Sequence, residues 1–138
     1  MRRYMLDTNT VSYFIKDQFS TLGVKILSVP MDSLYISVFT EAELLHGLAK
    51  KASKGSVYKL EKLVREFLAH VTILPWDSEA AYAYVNLRIA CEKNGKSLSV
   101  IDMLIGAHSV ANEACLVSSD KAFFHLTDIL DLEDWTKP

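Results

Sequence analysis

The stretch "YMLDTNT", residues 4–10, governs how the whole chain is read. Tyr4, Met5 and Leu6 form a short apolar run, Asp7 ends it, and Thr8, Asn9 and Thr10 follow at once. That is the form of a buried strand running straight into a helix. Two readings of Asp7 follow. It caps the helix, since Asp, Thr and Asn all accept hydrogen bonds from the free N–H groups at a helix start. Alternatively it does chemistry, because open α/β sheets hold their ligands beyond the carboxyl ends of the strands. The segment alone does not choose between them.

Working outward, strands of four or five residues alternate with helices. The spacing predicts a strand at Arg3–Leu6 and a helix at Thr8–Lys16, with Val11, Phe14 and Ile15 at helical intervals. A helix follows over Thr21–Leu27, then a strand over Leu34–Ser37 after the break at Pro30 and Asp32. Thr40 is the expected cap of a helix reaching Lys51, with Glu43 in its first turn. Lys54–Ala69 reads as an amphipathic helix and Val71–Leu74 as a strand closed by Pro75. Ser78 opens a helix that stops at Asn94-Gly95, and another begins at Ser99 or Ile101 and reaches Glu113. Ala114–Ser118 and Ile129–Leu132 complete the strands. Such alternation is the mark of a parallel sheet covered on both faces.

The chain has 138 residues, half of them hydrophobic, which suits one domain with a proper core. Charged residues are 23% of the total, too few for disorder. A formal net charge of −2 gives no global basic field, so any nucleic-acid contact must rest on local patches. Cys91 and Cys115 lie in apolar surroundings outside any CxxC pair and are expected as buried free thiols. The apolar run before Asp7 is too short for a signal peptide, and no window of about 18 residues is apolar enough to span a membrane. A soluble, cytoplasmic protein is the expectation.

Four acids fall at or just beyond predicted strand ends or in apolar surroundings: Asp7, Glu43, Asp102 and Asp120. Asp102 is the most telling, because nearly every neighbour in "SLSVIDMLIGAHSV" is apolar. A buried carboxylate needs a cation, a set of hydrogen-bond donors or a water-filled cleft. Each acid also has an ordinary reading. Glu43 is placed for a capping box with Thr40, Asp120 for a turn in "SSDKAF", and Asp102 for a helix cap. Taken together the acids converge on one crevice, where like charges repel and a hard divalent cation relieves them. Oxygen-only ligands favour Mg²⁺ or Mn²⁺ over zinc. His46, His70, His108 and His125 are scattered and suit surface or core roles. Such sites perform phosphoryl chemistry, with Thr8, Asn9, Ser118 and Ser119 as polar groups that hold the acids in place.

These blocks resemble those of PIN-domain ribonucleases, and specifically the VapC-type toxins of bacterial toxin–antitoxin pairs. "MLDTNT" is similar to the family's opening strand and first acid. "ISVFTEAELLHG" resembles the second block and puts its acid on Glu43, four residues before Gly47, leaving Glu41 an unaligned neighbour. "SLSVIDMLIGAHS" resembles the third block with Asp102, and "CLVSSDKAFFHL" the fourth with Asp120. "LEDW" resembles a tail of some members. The third block departs in one respect: it opens with "GKSLSVID" where a Pro-containing turn is common. The resemblance implies a single PIN domain over residues 1–138, a three-layer α/β/α sandwich with a small, mainly parallel sheet. It further implies Mg²⁺- or Mn²⁺-dependent cleavage of RNA such as tRNA, a homodimer, and inhibition by a VapB-type antitoxin in a hetero-oligomer. Asp7 and Asp102 would bind the metal most directly, and Glu43 and Asp120 would complete its shell.

Rival readings of the same acids are weaker. A phosphoacceptor receiver domain wants an acidic pair early in the chain, and Leu6 precedes Asp7. An aspartyl phosphatase wants an acid two residues after its nucleophile, where this chain has Asn9. A catalytically silent PIN-type module that only binds RNA or protein should have lost acids, and all four remain. Lys50, Lys51, Lys54, Lys59, Lys62 and Arg65 form a basic cluster, read either as a rim for RNA or as a solvated face with pairs such as Glu61–Arg65. Apolar residues in Val11–Phe14 and Leu60–Leu68 exceed what one sheet face needs, which places expected self-association there.

Overall fold

Residues 2–95 and 97–138 are described by a computed structural model. Five strands, β1 (Tyr4–Leu6), β2 (Leu34–Ser37), β3 (Thr72–Leu74), β4 (Cys115–Val117) and β5 (Leu132–Glu133), form one sheet in the order β3-β2-β1-β4-β5. All four pairings are parallel. Six α-helices connect or flank them: α1 (Thr8–Lys16), α2 (Thr21–Ser28), α3 (Val38–Ala52), α4 (Tyr58–His70), α5 (Ser78–Lys93) and α6 (Val100–Ala111).

Side-chain alternation along the central strands splits the core in two. Leu6 and Val117 face a cluster built from α1 to α4, including Val11, Phe14, Leu44 and Val64. Met5 and Leu116 face the opposite way, into a cluster with Leu87 and Cys91 of α5 and Met103 and Ile105 of α6. The protein is therefore a three-layer α/β/α sandwich. Both cysteines are buried free thiols, and burial pushes the Cys115 thiol up to about 12. Among the described residues no helix is long and apolar enough to cross a membrane.

The chain adds β2 and β3 on one side of β1, then β4 and β5 on the other. The strand order thus reverses between β1 and β4, and the crevice beyond their carboxyl ends is where such sheets bind ligands. Asp7 directly follows β1 and Ser118 directly follows β4.

Several boundaries differ from expectation. Helix α3 starts at Val38, capped by Ser37, whose Oγ accepts from Phe39 N at 3.1 Å. Thr40 is therefore a buried residue inside α3, not its cap. Helix α4 starts at Tyr58, because Ser53 ends α3 and Gly55 takes φ +157°, a conformation side chains rarely adopt. Strand β5 lies at Leu132–Glu133, since Ile129 and Leu130 belong to a turn that buries Leu130 in the core. Gly95 follows α5 at φ +62°, as a helix stop requires. Lys96 of the "GKSLSVID" turn is outside the described residues.

In the two stretches expected to self-associate, Tyr13 is 50% and Leu63 36% exposed, and the rest is mostly turned inward. Val11, Phe14, Val64 and Phe67 are buried in the protomer's own core. A further exposed apolar stripe lies on α5, where Tyr82, Val85 and Ile89 stand at successive turns and are 75%, 54% and 47% exposed.

Candidate active site

Asp7 sits where β1 becomes α1, and the change of backbone direction there leaves helix N–H groups unpaired. Its Oδ1 accepts from Thr10 N at 2.9 Å, and its Oδ2 accepts from Ser118 Oγ at 2.6 Å. Capping and site are thus one arrangement: the carboxylate that closes α1 is the one held at the reversal of strand order. Ser118 also accepts from Asp120 N at 3.0 Å, and Asp120 Oδ1 accepts from Ala122 N at 3.0 Å. Asp120 is therefore a turn residue, as its ordinary reading expects, and the Ser118 hydroxyl links that turn to Asp7. Thr10, which nothing in the sequence singled out, closes the joint by donating from Oγ1 to Val117 O at 3.1 Å.

Glu43 arrives from α3. With α3 starting at Val38, Glu43 lies in the second turn, too far along for a capping box. Its Oε1 instead accepts from Thr8 Oγ1, which also lies 3.3 Å from Thr40 Oγ1. Thr8 so ties the first turn of α1 to α3. Asp102 stands in the first turn of α6, but Ser99 is the cap, accepting from Asp102 N at 3.1 Å. The helix-cap readings of Glu43 and Asp102 both fail. Asn9 and Ser119 are exposed and have no side-chain hydrogen bond among the described residues, whereas Thr8 and Ser118 both bond to an acid.

Electrostatics report the convergence. Burial raises the Asp7 pKa above its ordinary value, partly offset by the Ser118 and Thr10 hydrogen bonds, and the charge of Asp120 raises it further. Asp102 is also raised, first by burial, against the Ser99 bond, and then by the charges of Asp120, Asp7 and Glu43. One carboxyl therefore feels the other three. Among the described residues, no Lys or Arg forms an ion pair with any of the four.

This donor set fits a hard divalent cation: it is all oxygen, mutually repelling and unpaired. No three of its acids are drawn close enough to enclose an ion among the described residues. Mg²⁺ suits such an all-oxygen donor set, because it keeps several waters and takes one or two carboxylates directly. A groove of about 110 Å³ between α1, α3 and α4 opens beside Glu43, with an apolar floor that includes Leu44, Leu48 and Val64 and with Lys16 and Lys51 on its walls. The other basic residues of α3 and α4 are exposed, and Arg65 pairs with Glu61 at 3.3 Å. Of the histidines, His46, His70 and His125 are exposed and His108 is buried.

A crevice of four carboxylates at the reversal point of a five-stranded parallel sheet defines a class, and the family comparison agrees with it. The PIN domain model matches residues 4–129, and the chain belongs to that family. Its relatives are VapC-type members. It is 30% identical over 135 residues to Ribonuclease VapC2 of Rickettsia felis, covering 97% of this chain and 98% of that protein. It is 24% identical over 135 residues to the tRNA(fMet)-specific endonuclease VapC of Salmonella typhimurium, covering 98% and 99%. The crystal structure of VapBC2 from Rickettsia felis bound to a promoter DNA fragment contains a chain that superposes with a TM-score of 0.82. That match has 27% identity and covers 96% of this chain and 98% of that one.

Proposed function

We propose that this chain is the toxin of a VapBC-type pair, a Mg²⁺- or Mn²⁺-dependent endoribonuclease with Asp7, Glu43, Asp102 and Asp120 as its working acids. The observation that carries this reading is geometric: at the sheet's switch point Asp7 is held by Thr10 N and Ser118 Oγ, Ser118 also holds the Asp120 turn, and Thr8, next along from Asp7, holds Glu43, with no basic partner for any of the four acids among the described residues. When bound, the metal lowers the pKa of its water and neutralises charge on the scissile phosphate.

The residues divide the remaining work. Asp7 is oriented by Thr10 N and Ser118 Oγ, and each of its oxygens keeps a lone pair for a ligand. Asp102, whose carboxyl has the Ser99 hydroxyl beside it, would be the second direct ligand. Among the described residues, Glu43 Oε2 and Asp120 Oδ2 have no protein donor. Those oxygens would orient the attacking water, and one of the two would take its proton as the P–O bond to the leaving RNA oxygen breaks. Lys16 and Lys51, beside Glu43, attract the RNA backbone to an otherwise acidic crevice.

Relatives assemble as VapBC complexes, and we assign this chain an antitoxin of the same kind. A basic side chain on the antitoxin, inserted among the four acids, would replace the metal's charge. Self-association is assigned to the α5 stripe. In an antiparallel pairing centred on Asn86, Tyr82, Val85 and Ile89 of two copies meet, and Glu79 of one faces Lys93 of the other. The function is tested by mapping RNA ends after brief expression in cells, with Asp7→Asn as control. Discrete new ends in one RNA class, absent from the control, are expected. Identical end maps for the two proteins would reject the reading.

A further inference from the structure

His108 is wholly buried on α6, and both of its ring nitrogens are engaged across element boundaries. Nδ1 lies 2.8 Å from Ser37 Oγ, and Nε2 lies 3.0 Å from Pro75 O. A carbonyl oxygen only accepts, so Nε2 carries the proton and Nδ1 accepts from the Ser37 hydroxyl. Ser37 Oγ is at the same time the acceptor that caps α3. The ring is also wedged edge-on against Trp76 at 5.3 Å, and Trp76 against Phe39 of α3 at 5.2 Å. Three pieces of chain meet on one imidazole: helix α6, the β2–α3 junction and the segment between β3 and α5.

An apolar side chain of similar volume would fill this space without the desolvation penalty of an imidazole. What the imidazole adds is direction, two bonds of fixed geometry. Those bonds join the helix that bears Asp102 to the start of the helix that bears Glu43. Neither acid is held from the strand side in the way Asp7 is, so the placement of their helices decides how far apart they stand.

We propose that His108 is a positioning residue: bonded as the neutral Nε2–H imidazole between Pro75 and Ser37, it locks α6 to the start of α3 and thereby sets the spacing of Asp102 and Glu43 across the crevice. Its consequence for chemistry rests on the ribonuclease reading above. Burial pushes the imidazole pKa below its usual value, against the opposing effects of the Pro75 carbonyl and the Asp77 charge, in keeping with a ring that stays neutral.

The test uses the full chain, with Mn²⁺ binding followed by calorimetry and RNA cleavage by kcat and KM, at a temperature where circular dichroism shows each protein folded. His108→Leu is expected to weaken Mn²⁺ binding and lower kcat by about tenfold or more, the range seen when groups that orient ligands are removed. KM should stay within about twofold, and His108→Gln, which keeps a donor and an acceptor, should recover most of both losses. A merely structural role would lower the melting temperature and leave Mn²⁺ affinity of the folded protein alone. A folded His108→Leu equal to wild type in Mn²⁺ affinity and kcat overturns the proposal, as does His108→Gln impaired as badly as His108→Leu. Should His108→Leu not fold, Ser37→Ala decides. It keeps the ring and the Pro75 bond and removes the link to α3 together with the α3 cap, so Mn²⁺ binding weakened several-fold at unchanged helix content by circular dichroism supports the role, and unchanged binding, or weakening that only accompanies lost helix content, overturns it. Failure of the ribonuclease reading looks different: wild type itself would neither bind Mn²⁺ nor cut RNA. Imidazole ¹⁵N shifts then decide the lock alone, a neutral Nε2–H ring supporting it and an Nδ1–H ring overturning it.

Discussion

The two walls of the crevice are built on different principles. On the strand wall, Asp7 and Asp120 are fastened through Ser118, Thr10 and Ala122 by short protein hydrogen bonds. On the helix wall, Glu43 is bonded to the Thr8 hydroxyl, and the Asp102 carboxyl has beside it only the Ser99 hydroxyl of its own helix cap among the described residues. The strand wall is set by the fold, because β1 and β4 are hydrogen-bonded neighbours and their ends cannot separate. The helix wall depends on how α3 and α6 are seated. On the reading proposed above, such a site would present one fixed ligand and leave the other to be drawn in by charge, which suits a cation bound with much of its water retained.

The largest expected effect comes from breaking the fixed wall at its centre. Asp7→Asn keeps the side-chain volume, and Asn still caps α1 well, so the fold should persist. Cleavage should fall by more than about 100-fold, beyond what loss of a mere outer-shell partner of a metal produces. Activity assays beside thermal melts check both halves. Residual cleavage above a tenth of wild type would mean that Asp7 is only a cap. Chelation belongs with this test: EDTA should abolish activity in wild type, and Mg²⁺ or Mn²⁺ should restore it.

The metal should also bridge the walls thermodynamically. Binding to the native state alone adds about 2.7 kcal/mol of stability when free metal is about a hundred times its dissociation constant. Melting curves of wild type with graded Mg²⁺ measure this directly. A melting temperature indifferent to Mg²⁺ up to the concentration that saturates cleavage would contradict it.

Ser118→Ala sharpens the comparison from the strand side. It removes the donor to Asp7 and the acceptor for Asp120 N in a site that is 1% exposed. A loss of about 1–3 kcal/mol is expected from groups left unpaired in a buried place. Chemical denaturation measures it, and a loss below about 0.5 kcal/mol, the ordinary scatter of surface changes, would show that Ser118 does not hold the strand wall.

That serine also marks where sequence reading stops. The acids are legible because carboxylates in apolar settings demand an explanation, and the helices and strands because apolar spacing announces them. "VSSD" offers two serines with equal claims. Only the register of β4 against β1 turns Ser118 toward Asp7 and leaves Ser119 in solvent. Thr40 failed as a cap for a related reason: β2 enters α3 without a connecting residue, so the strand's own last residue, Ser37, does the capping. Thr10 and His108 act through partners 107 and 71 residues away. Contacts of that range follow from sheet order and helix packing, and no local pattern encodes them. The apolar residues of α1 and α4 were likewise readable as apolar, but whether they faced the core or a second copy waited on the layers.

The smallest effect tests the looser wall. Without metal, Asp102 is a partly buried carboxylate facing three like charges, and its pKa is raised. An acid whose pKa is higher in the folded than in the unfolded state binds more protons when folded, so it lowers stability as pH rises. The penalty is absent below the unfolded value of about 3.9, where both states hold the proton, and complete above the folded pKa. Asp102→Asn removes that titration. In EDTA at neutral pH the variant should be more stable than wild type by on the order of 1 kcal/mol, and the difference should shrink as pH falls toward 4. Asp7 keeps its own raised pKa in both proteins, so some loss of stability with rising pH remains in the variant. Added Mg²⁺ should stabilise wild type and hardly touch the variant, which narrows or reverses the gap. If Asp102 served only the helix, Asn would do that work nearly as well, the two proteins would melt together in EDTA, and both would respond alike to Mg²⁺. Paired melts at two pH values, with and without metal, separate these outcomes without any RNA, and they show whether the charge on α6 serves a cation or only its own helix.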